Sequence, residues 1–359
     1  MTEDLGAGPP VDWDVAAGLG GRLARPGPAM SDYTRDQAIA ELAEASRRAE
    51  PPVREVTGLI TDDAVPDAMI VDRPRWIASA ADSMRAMLTA ARGPDPEKTE
   101  PKGRLAELTA GLAARAAGAQ SGAVLAFVSS GILGQYDPFG SHDDGRLGRL
   151  LLVYPNIVAV ERQLQVRPSD FRLWVCLHEV THRVQFTANP WLAGYMSDTL
   201  GVLTRDTGED VLAMVSRVAS FVREHSGDEP GGIVGLMRAA QAEPQREALD
   251  RLLVLGTLLE GHADHVMDAV GPAVVPAVET IRDRFEQRRH RHQPPLQRLL
   301  RALLGMDAKL AQYTRGKKFV DAVVEQVGTA RFNAVWTGPE TLPLPAEIDH
   351  PQRWIDRVL

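Results

Sequence analysis

The chain has 359 residues, 44% hydrophobic, 5% aromatic and 25% charged, which is enough for one large or two ordinary domains with Leu, Val and Ala filling most of the core. Its formal net charge of −8 argues against a nucleic-acid partner, which needs a basic face. A lone cysteine, Cys176, excludes an internal disulfide and a cysteine metal cage and fits a reducing, cytoplasmic setting, while the N-terminal segment lacks the apolar run of a secretion signal and no stretch approaches the roughly 18 apolar residues of a membrane span.

In chain order, MTEDLGAGPP reads as a loose tail, and VDWDVAAGLGGRLA predicts a short helix starting at Asp12. Tyr33 to Glu50 is a second helix, with Ile39, Leu42 and Ala43 at helical spacing. PPVREVTGLI breaks and restarts the chain. VDRPRWIASAADSMRAMLTAAR is a helix with Trp76, Ile77, Ala80, Met84 and Leu88 inward, followed by a charged linker, GPDPEKTEPKGR. LAELTAGLAARAAGAQSGAVLAF begins as an Ala/Leu helix and turns strand-like around VLAFVSS. GILGQYDPFGSHDDGRLGR is turn-rich. RLLLVYPNIVAVERQL is strand material on both sides of Pro155–Asn156. The next helix is launched by RPSD and stopped by Asn189–Pro190. Residues 198–225 hold at least one helix, 226–232 a Gly-rich loop, and Pro244 to Gly271 a long helix. A basic helix, IRDRFEQRRHRH, follows, and helices continue from Pro295 to Val327. The tail, TLPLPAEIDHPQRWIDRVL, is Pro-rich and ends in an amphipathic turn or two.

One helix carries chemistry. CLHEVTHRVQF, residues 176–186, places His178 and His182 one turn apart, so both imidazoles rise from the same face and reach one ion. Leu173, Leu177, Val180 and Val184 form an apolar row near the opposite side. Glu179 lies beside the histidines. Two neutral imidazoles leave coordination positions open on a zinc ion, and a neighbouring carboxylate is suited to take a proton from water and pass it to a leaving amine. Cys176 points away from the histidine face and belongs to the core.

A catalytic zinc usually has three protein ligands. The sequence after His182, RVQFTANPWLAGY, contains no histidine, so the third ligand comes from elsewhere. In LLEGHADHVMD, residues 258–268, helical periodicity puts Leu253, Gly256, Glu260, Asp264 and Met267 on one face. Two carboxylates in an otherwise small or apolar row are costly if buried without partners. Glu260 as the third ligand, with Asp264 accepting the other N–H of His178 or His182, resolves that cost. Gly256 and Gly261 weaken the helix by about 1 kcal/mol each, which close approach of another helix would explain. His262 and His265 point off the Glu260 face and suit supporting, substrate-side or structural roles. Tyr136, Tyr195 and Tyr313, and also His262, are candidates for a hydrogen-bond donor to a developing oxyanion. The arginine-rich run from Arg282 to Arg301 is a solvated face that would suit an acidic partner.

HEVTHRVQF and LLEGHADHVMD together resemble the zincin-like actinobacterial proteins labelled "coenzyme F420 biosynthesis-associated". VDW, EVTGL, VDRPRWI, GQYDPFG, LLLVYPNIVAVER, DFRLWVCLHE, QYTRGKKFVDAVVE and LPLPAEIDHPQRW extend the resemblance over almost the whole chain. It implies a largely helical zincin-like fold with a glutamate as third metal ligand. It implies no F420 binding, and no GxGxxG loop follows a strand.

The expectation is a mainly α chain of the α+β type. A small sheet precedes the active-site helix in an N-terminal lobe, 1–190, and a helical C-terminal lobe, 191–359, supplies the third ligand. The expected activity is zinc-dependent hydrolysis of a peptide or amide, with zinc on His178, His182 and Glu260 and Glu179 as general base. Two rivals stand beside it: a non-catalytic zinc protein that binds a partner, and a metal-dependent hydrolase of a small molecule. The sequence names neither substrate nor oligomeric state.

Overall fold

The structure, a computed structural model, describes residues 11–61, 66–92, 104–142, 145–204, 243–290 and 306–359. Its contacts divide the chain into two compact units, one formed by Gly8–Ala193 with Val266–Arg288, the other by Gly194–His265 with Arg289–Leu359. The expected helices on 205–225, the loop 226–232 and the segment 291–305 lie outside the described residues.

The first unit opens with α1 (Trp13–Leu23), started by Asp12, whose carboxylate accepts from the Val15 N–H at 3.0 Å. It crosses α4 (Arg104–Ser129) at glycines. A Cβ on Gly118 would stand 2.3 Å from the Asp12 carbonyl oxygen, and one on Gly122 would stand 2.6 Å from that of Ala16. Such contact admits hydrogen and nothing larger, so the small residues of α4 are there for helix approach. This accounts for VLAFVSS being the last turns of α4 and not a strand: the segment continues a helix whose Ala126 packs with Trp76, Ile77 and Ala80 of α3 (Arg73–Arg92). On α3, Trp76, Ile77, Ala80 and Ala81 are buried as an inward face, whereas Met84 is 40% exposed, a departure from the expected row.

Helix α2 (Asp32–Thr57) runs through Pro51 and Pro52, where the sequence predicts a break. It ends at Gly58, in the left-handed region at φ 65°, whose N–H donates to the Arg54 carbonyl. Tertiary burial of Ala49 and Val53, both fully buried, outweighs the lost donors.

The sheet has three strands in the order β1 (Met69–Val71), β3 (Leu147–Val153), β2 (Gly134–Ser141). β1 runs parallel to β3 with Val71 opposite Val153; β2 runs antiparallel with Gly134 opposite Leu152 and an irregularity between Asp137 and Ser141. GQYDPFG is thus an edge strand, not a turn, with Pro138 sitting at the irregularity where a missing donor is tolerated. Leu150 to Val153 are almost wholly buried. After them the chain turns helical at once, as α5 (Tyr154–Leu164) with Pro155 in its first turn. NIVAVER is therefore helix, against the strand expected from its β-branched residues. Burial of Ile157, Val158, Val160 and Leu164 on its inner side overrides their propensity. Helix α6 (Pro168–Ala188) completes this run.

The second unit holds most of α7 (Trp191–Thr204), the greater part of α8 (Gln245–Val270), then α10 (Met306–Val327), the short α11 (Thr329–Phe332), two 3-10 turns and α12 (Pro351–Val358). The remaining helix, α9 (Val278–His290), falls mainly in the first unit, where Arg282 pairs with Asp268 and Arg284 donates to the carbonyls of Leu164 and Gln165. Two arginines of the expected solvated face thus tie α9 to Asp268 and to the end of α5, while Arg284 itself stays exposed. Gly261 of α8 meets α10: its Cβ would lie 2.1 Å from the Gly316 carbonyl carbon. The close approach expected for Gly261 is there, whereas at Gly256 no other element among the described residues comes within 4 Å of where a Cβ would stand. Among the described residues no helix is long and apolar enough to cross a membrane.

Gly122→Ala should lower the unfolding free energy by about 1–3 kcal/mol, the usual cost of overpacking, because the clash is with backbone. Denaturant unfolding of the variant beside Gly111→Ala, where nothing lies within 4 Å, checks this; equal losses would mean that the α1–α4 contact is not the cause.

Candidate metal centre

Helix α6 is closed on nearly every side. From Phe171 to Phe186 only His178 and His182 are partly exposed; all others are buried. The row Leu173, Leu177, Val180 and Val184 is 0–3% exposed. Helix α2 packs on α6 through the side that bears Arg172, Cys176 and Arg183, and its Ala38, Leu42, Ala45 and Ala49 are buried. Cys176 is fully buried, its Sγ 3.9 Å from the Leu42 carbonyl oxygen, and burial pushes its thiol pKa up. Two arginines lock the helix. Arg172 grips Glu161 with Nε and Nη2 at 3.0 and 2.7 Å and also pairs with Glu41. Arg183, next to His182, pairs with Glu50 and donates to the Pro66 carbonyl at 3.1 Å. Sequence patterning missed both arginines, because a charged residue on an amphipathic wheel reads as surface.

The two histidines face each other. Their rings are 4.8 Å apart at 89°, with Nε2 to Nε2 at 3.2 Å. His182 Nδ1 lies 2.9 Å from Oε1 of Gln185, a residue with no exposed surface. An amide oxygen only accepts, which favours the proton on Nδ1 and the lone pair on Nε2. Asn189 closes the helix end by donating to the Gln185 carbonyl at 2.8 Å. The sequence contains Gln185 in plain view, three residues after His182, yet its role needs the rotamer to be seen.

Glu179 is 7% exposed and abuts the start of β2. A Cβ on Gly134 would stand 2.6 Å from both Cγ and Cδ of Glu179 and 2.9 Å from Oε1. Glycine at this strand position is what lets the carboxylate lie there. Further along β2, the Tyr136 ring contacts Phe186 at 5.5 Å, and its hydroxyl fills the space a Cβ on Gly148 would take. Burial pushes the Tyr136 phenol up to about 12. This is a packed, protonated tyrosine seated against the sheet.

Glu260 and Asp264 are both half-buried on α8. One ligand atom from each of His178, His182 and Glu260 lies within 4.8 Å of the others. The neighbouring histidines have other surroundings. His262 is 1% exposed and packs on Phe332 and Trp336 at 5.5 and 5.3 Å. His265 Nδ1 pairs with Asp321 at 2.7 Å. Asp264 stands one turn beyond Glu260, while the acceptor at His182 Nδ1 is Gln185. Tyr195 is half-buried, its phenol raised chiefly by burial; the Tyr313 side chain lies outside the described residues.

The donor set fits a zinc ion. Two nitrogens bound at about 2.0–2.1 Å in a tetrahedral site stand about 3.3 Å apart, close to the 3.2 Å between the two Nε2 atoms. Two imidazoles and one carboxylate, with a further carboxylate beside them, are the ligands and base of the zinc sites that keep a position open.

A helix with HExxH spacing, a small sheet leading into it and a carboxylate from a later helix define a zincin-like metal-dependent hydrolase. A family model for zincin-like metallopeptidases matches residues 11–355, and the chain belongs to that family. The mainly helical fold with a small three-stranded sheet is thus the zincin-like architecture anticipated from the sequence. A crystal structure from Chloroflexus aurantiacus, described as a "putative hydrolase with a novel fold", is similar at 28% identity and a TM-score of 0.64, covering 97% of this chain and 98% of that one. No curated protein matches.

Gly134→Ala should force the Glu179 carboxylate from its place against β2 and cost about 1–3 kcal/mol of stability by overpacking. A crystal structure of the variant reads the displacement; an unmoved Glu179 would mean that the strand yields instead.

Proposed function

We propose that this chain is a zinc-dependent peptidase or amide hydrolase in which His178, His182 and Glu260 hold the metal and Glu179 is the general base. The observation that carries the reading is the convergence of the three ligand atoms within 4.8 Å, beside a buried carboxylate kept in place by a glycine. Zinc, when bound, supplies a Lewis acid that polarises a carbonyl and lowers the pKa of a bound water towards ~7. Glu179 takes a proton from the attacking water at its carboxylate oxygen and returns it to the leaving nitrogen. Its near-complete burial limits competing solvent. His182, held by Gln185, keeps its Nε2 lone pair forward; Asp264, one turn beyond Glu260, keeps its proposed supporting role for a ligand histidine.

Two features support a peptide as substrate. Strand β2 is at the sheet's edge and begins against Glu179. Among the described residues no strand pairs with its other side, and an extended peptide can add to such an edge through backbone hydrogen bonds. We also propose that within the family the chain stands with the actinobacterial, F420-associated branch, on HEVTHRVQF and LLEGHADHVMD, and that it works in the cytoplasm. F420 chemistry is no part of this reading.

Protein purified without chelators should carry one zinc per chain by elemental analysis. Glu179→Gln should keep that zinc and the fold while cleavage of a quenched peptide library falls about 10²–10⁴-fold, since an amide cannot take the proton. Undiminished cleavage by this variant, or no zinc in the parent, defeats the proposal.

The two α8 carboxylates should separate in a chelator competition. Glu260→Ala removes a ligand and should lose zinc, whereas Asp264→Asn should weaken it about 10–100-fold, as loss of an outer hydrogen bond does. His262→Ala should lower stability through its lost contacts with Phe332 and Trp336 but keep zinc. If His262→Ala loses the metal and Glu260→Ala retains it, the glutamate ligation is wrong.

A further inference from the structure

We propose that Gln185 is the positioning residue that sets the tautomer of His182 and so decides whether its Nε2 can serve as a ligand; this rests on the reading of His182 as a ligand. Gln185 has no exposed surface, and its Oε1 is 2.9 Å from His182 Nδ1. An amide oxygen has no proton to give, so the Nδ1 proton is fixed there and Nε2 is left with its lone pair. If that proton moved to Nε2, it would point at His178 Nε2, 3.2 Å away. The two histidines would then satisfy each other, and His182 would present no lone pair to an ion. With the proton held on Nδ1, His182 can only accept at Nε2, so the lone pair stays on the atom that faces His178. The glutamine backbone is held as well: the Asn189 side chain donates to the Gln185 carbonyl at 2.8 Å, so the end of α6 and the orientation of His182 are fixed by the same residue. The carboxylate usual behind a metal-binding histidine is replaced here by a neutral amide, which orients the ring without adding negative charge to the site.

The test compares Gln185→Glu, which keeps an acceptor, with Gln185→Met, which keeps the volume and removes it. Gln185→Asn, too short to reach, stands in if the methionine variant fails to fold. In the metal-free proteins, long-range ¹⁵N–¹H NMR of the imidazoles should show His182 protonated on Nδ1 in the parent and in Gln185→Glu, and protonated wholly or partly on Nε2 in Gln185→Met. Chelator competition should show zinc held about 10–100-fold more weakly by Gln185→Met, with Gln185→Glu at or above the parent. An unchanged tautomer together with parental zinc affinity in Gln185→Met overturns the inference, whatever the melting temperature does. A parent that takes up no zinc defeats the proposed function instead, and the NMR measurement on the metal-free chain still decides the role of Gln185.

Discussion

Two imidazole nitrogens aimed at one another across 3.2 Å are the constraint on which the rest depends. With His182 protonated at Nδ1, its Nε2 offers only a lone pair. At 3.2 Å that lone pair can accept from His178 when His178 carries its proton on Nε2, and when both rings present lone pairs the spacing is that of two nitrogens on one zinc ion. His178 and His182 are the only partly open positions in the middle of α6. One ligand atom of Glu260 lies within 4.8 Å of one on each histidine.

Holding two rings this way needs a helix that cannot rotate or slide. Burial of the apolar row alone would allow some adjustment, because Leu and Val contacts are non-directional. Arg172 and Arg183 supply direction. Arg172 is 5% exposed and makes a two-pronged contact with Glu161, which is equally buried. Breaking a buried pair on one side costs about 3–5 kcal/mol, so the Arg172–Glu161 pair resists displacement of α6 from α5, and Arg183 adds a tie to Glu50 of α2. Glycine acts as the complement. Gly134 brings strand backbone to the Glu179 carboxylate, and Gly261 with Gly316 brings α10 onto the helix that bears Glu260. Charged anchors and missing side chains serve the same end, which is to fix backbone near reactive groups.

The long periodic helices and the HExxH residues were legible because their signals are local. The 3.6-residue period of α6 and α8 follows from which residues must be buried along one segment. The i,i+4 histidines follow from helix geometry alone. That Glu260 stands near the two histidines was legible for a related reason: a carboxylate in an otherwise small or apolar row asks for a partner. What failed were segments where local preference and tertiary burial disagree. VLAFVSS and NIVAVER have β-branched or mixed propensity but become helical, the first packing Ala126 on Trp76 and the second burying its own Ile157, Val158 and Val160. GQYDPFG has turn composition but pairs with β3, because a strand can absorb a proline at its edge.

The sequence by itself determined that His178, Glu179 and His182 share one helix turn, and that no histidine stands in RVQFTANPWLAGY just after them. Their types and spacing suffice for that, since a helix converts spacing into a shared face. Only the tertiary structure decided how those groups are held. It put Gln185 behind His182, Gly134 against Glu179 and buried arginines along α6. It also set His262 into an aromatic pocket with Phe332 and Trp336. A hydrogen bond depends on rotamer and on the partner's approach within a few tenths of an ångström, and no periodicity in a one-dimensional chain encodes that distance.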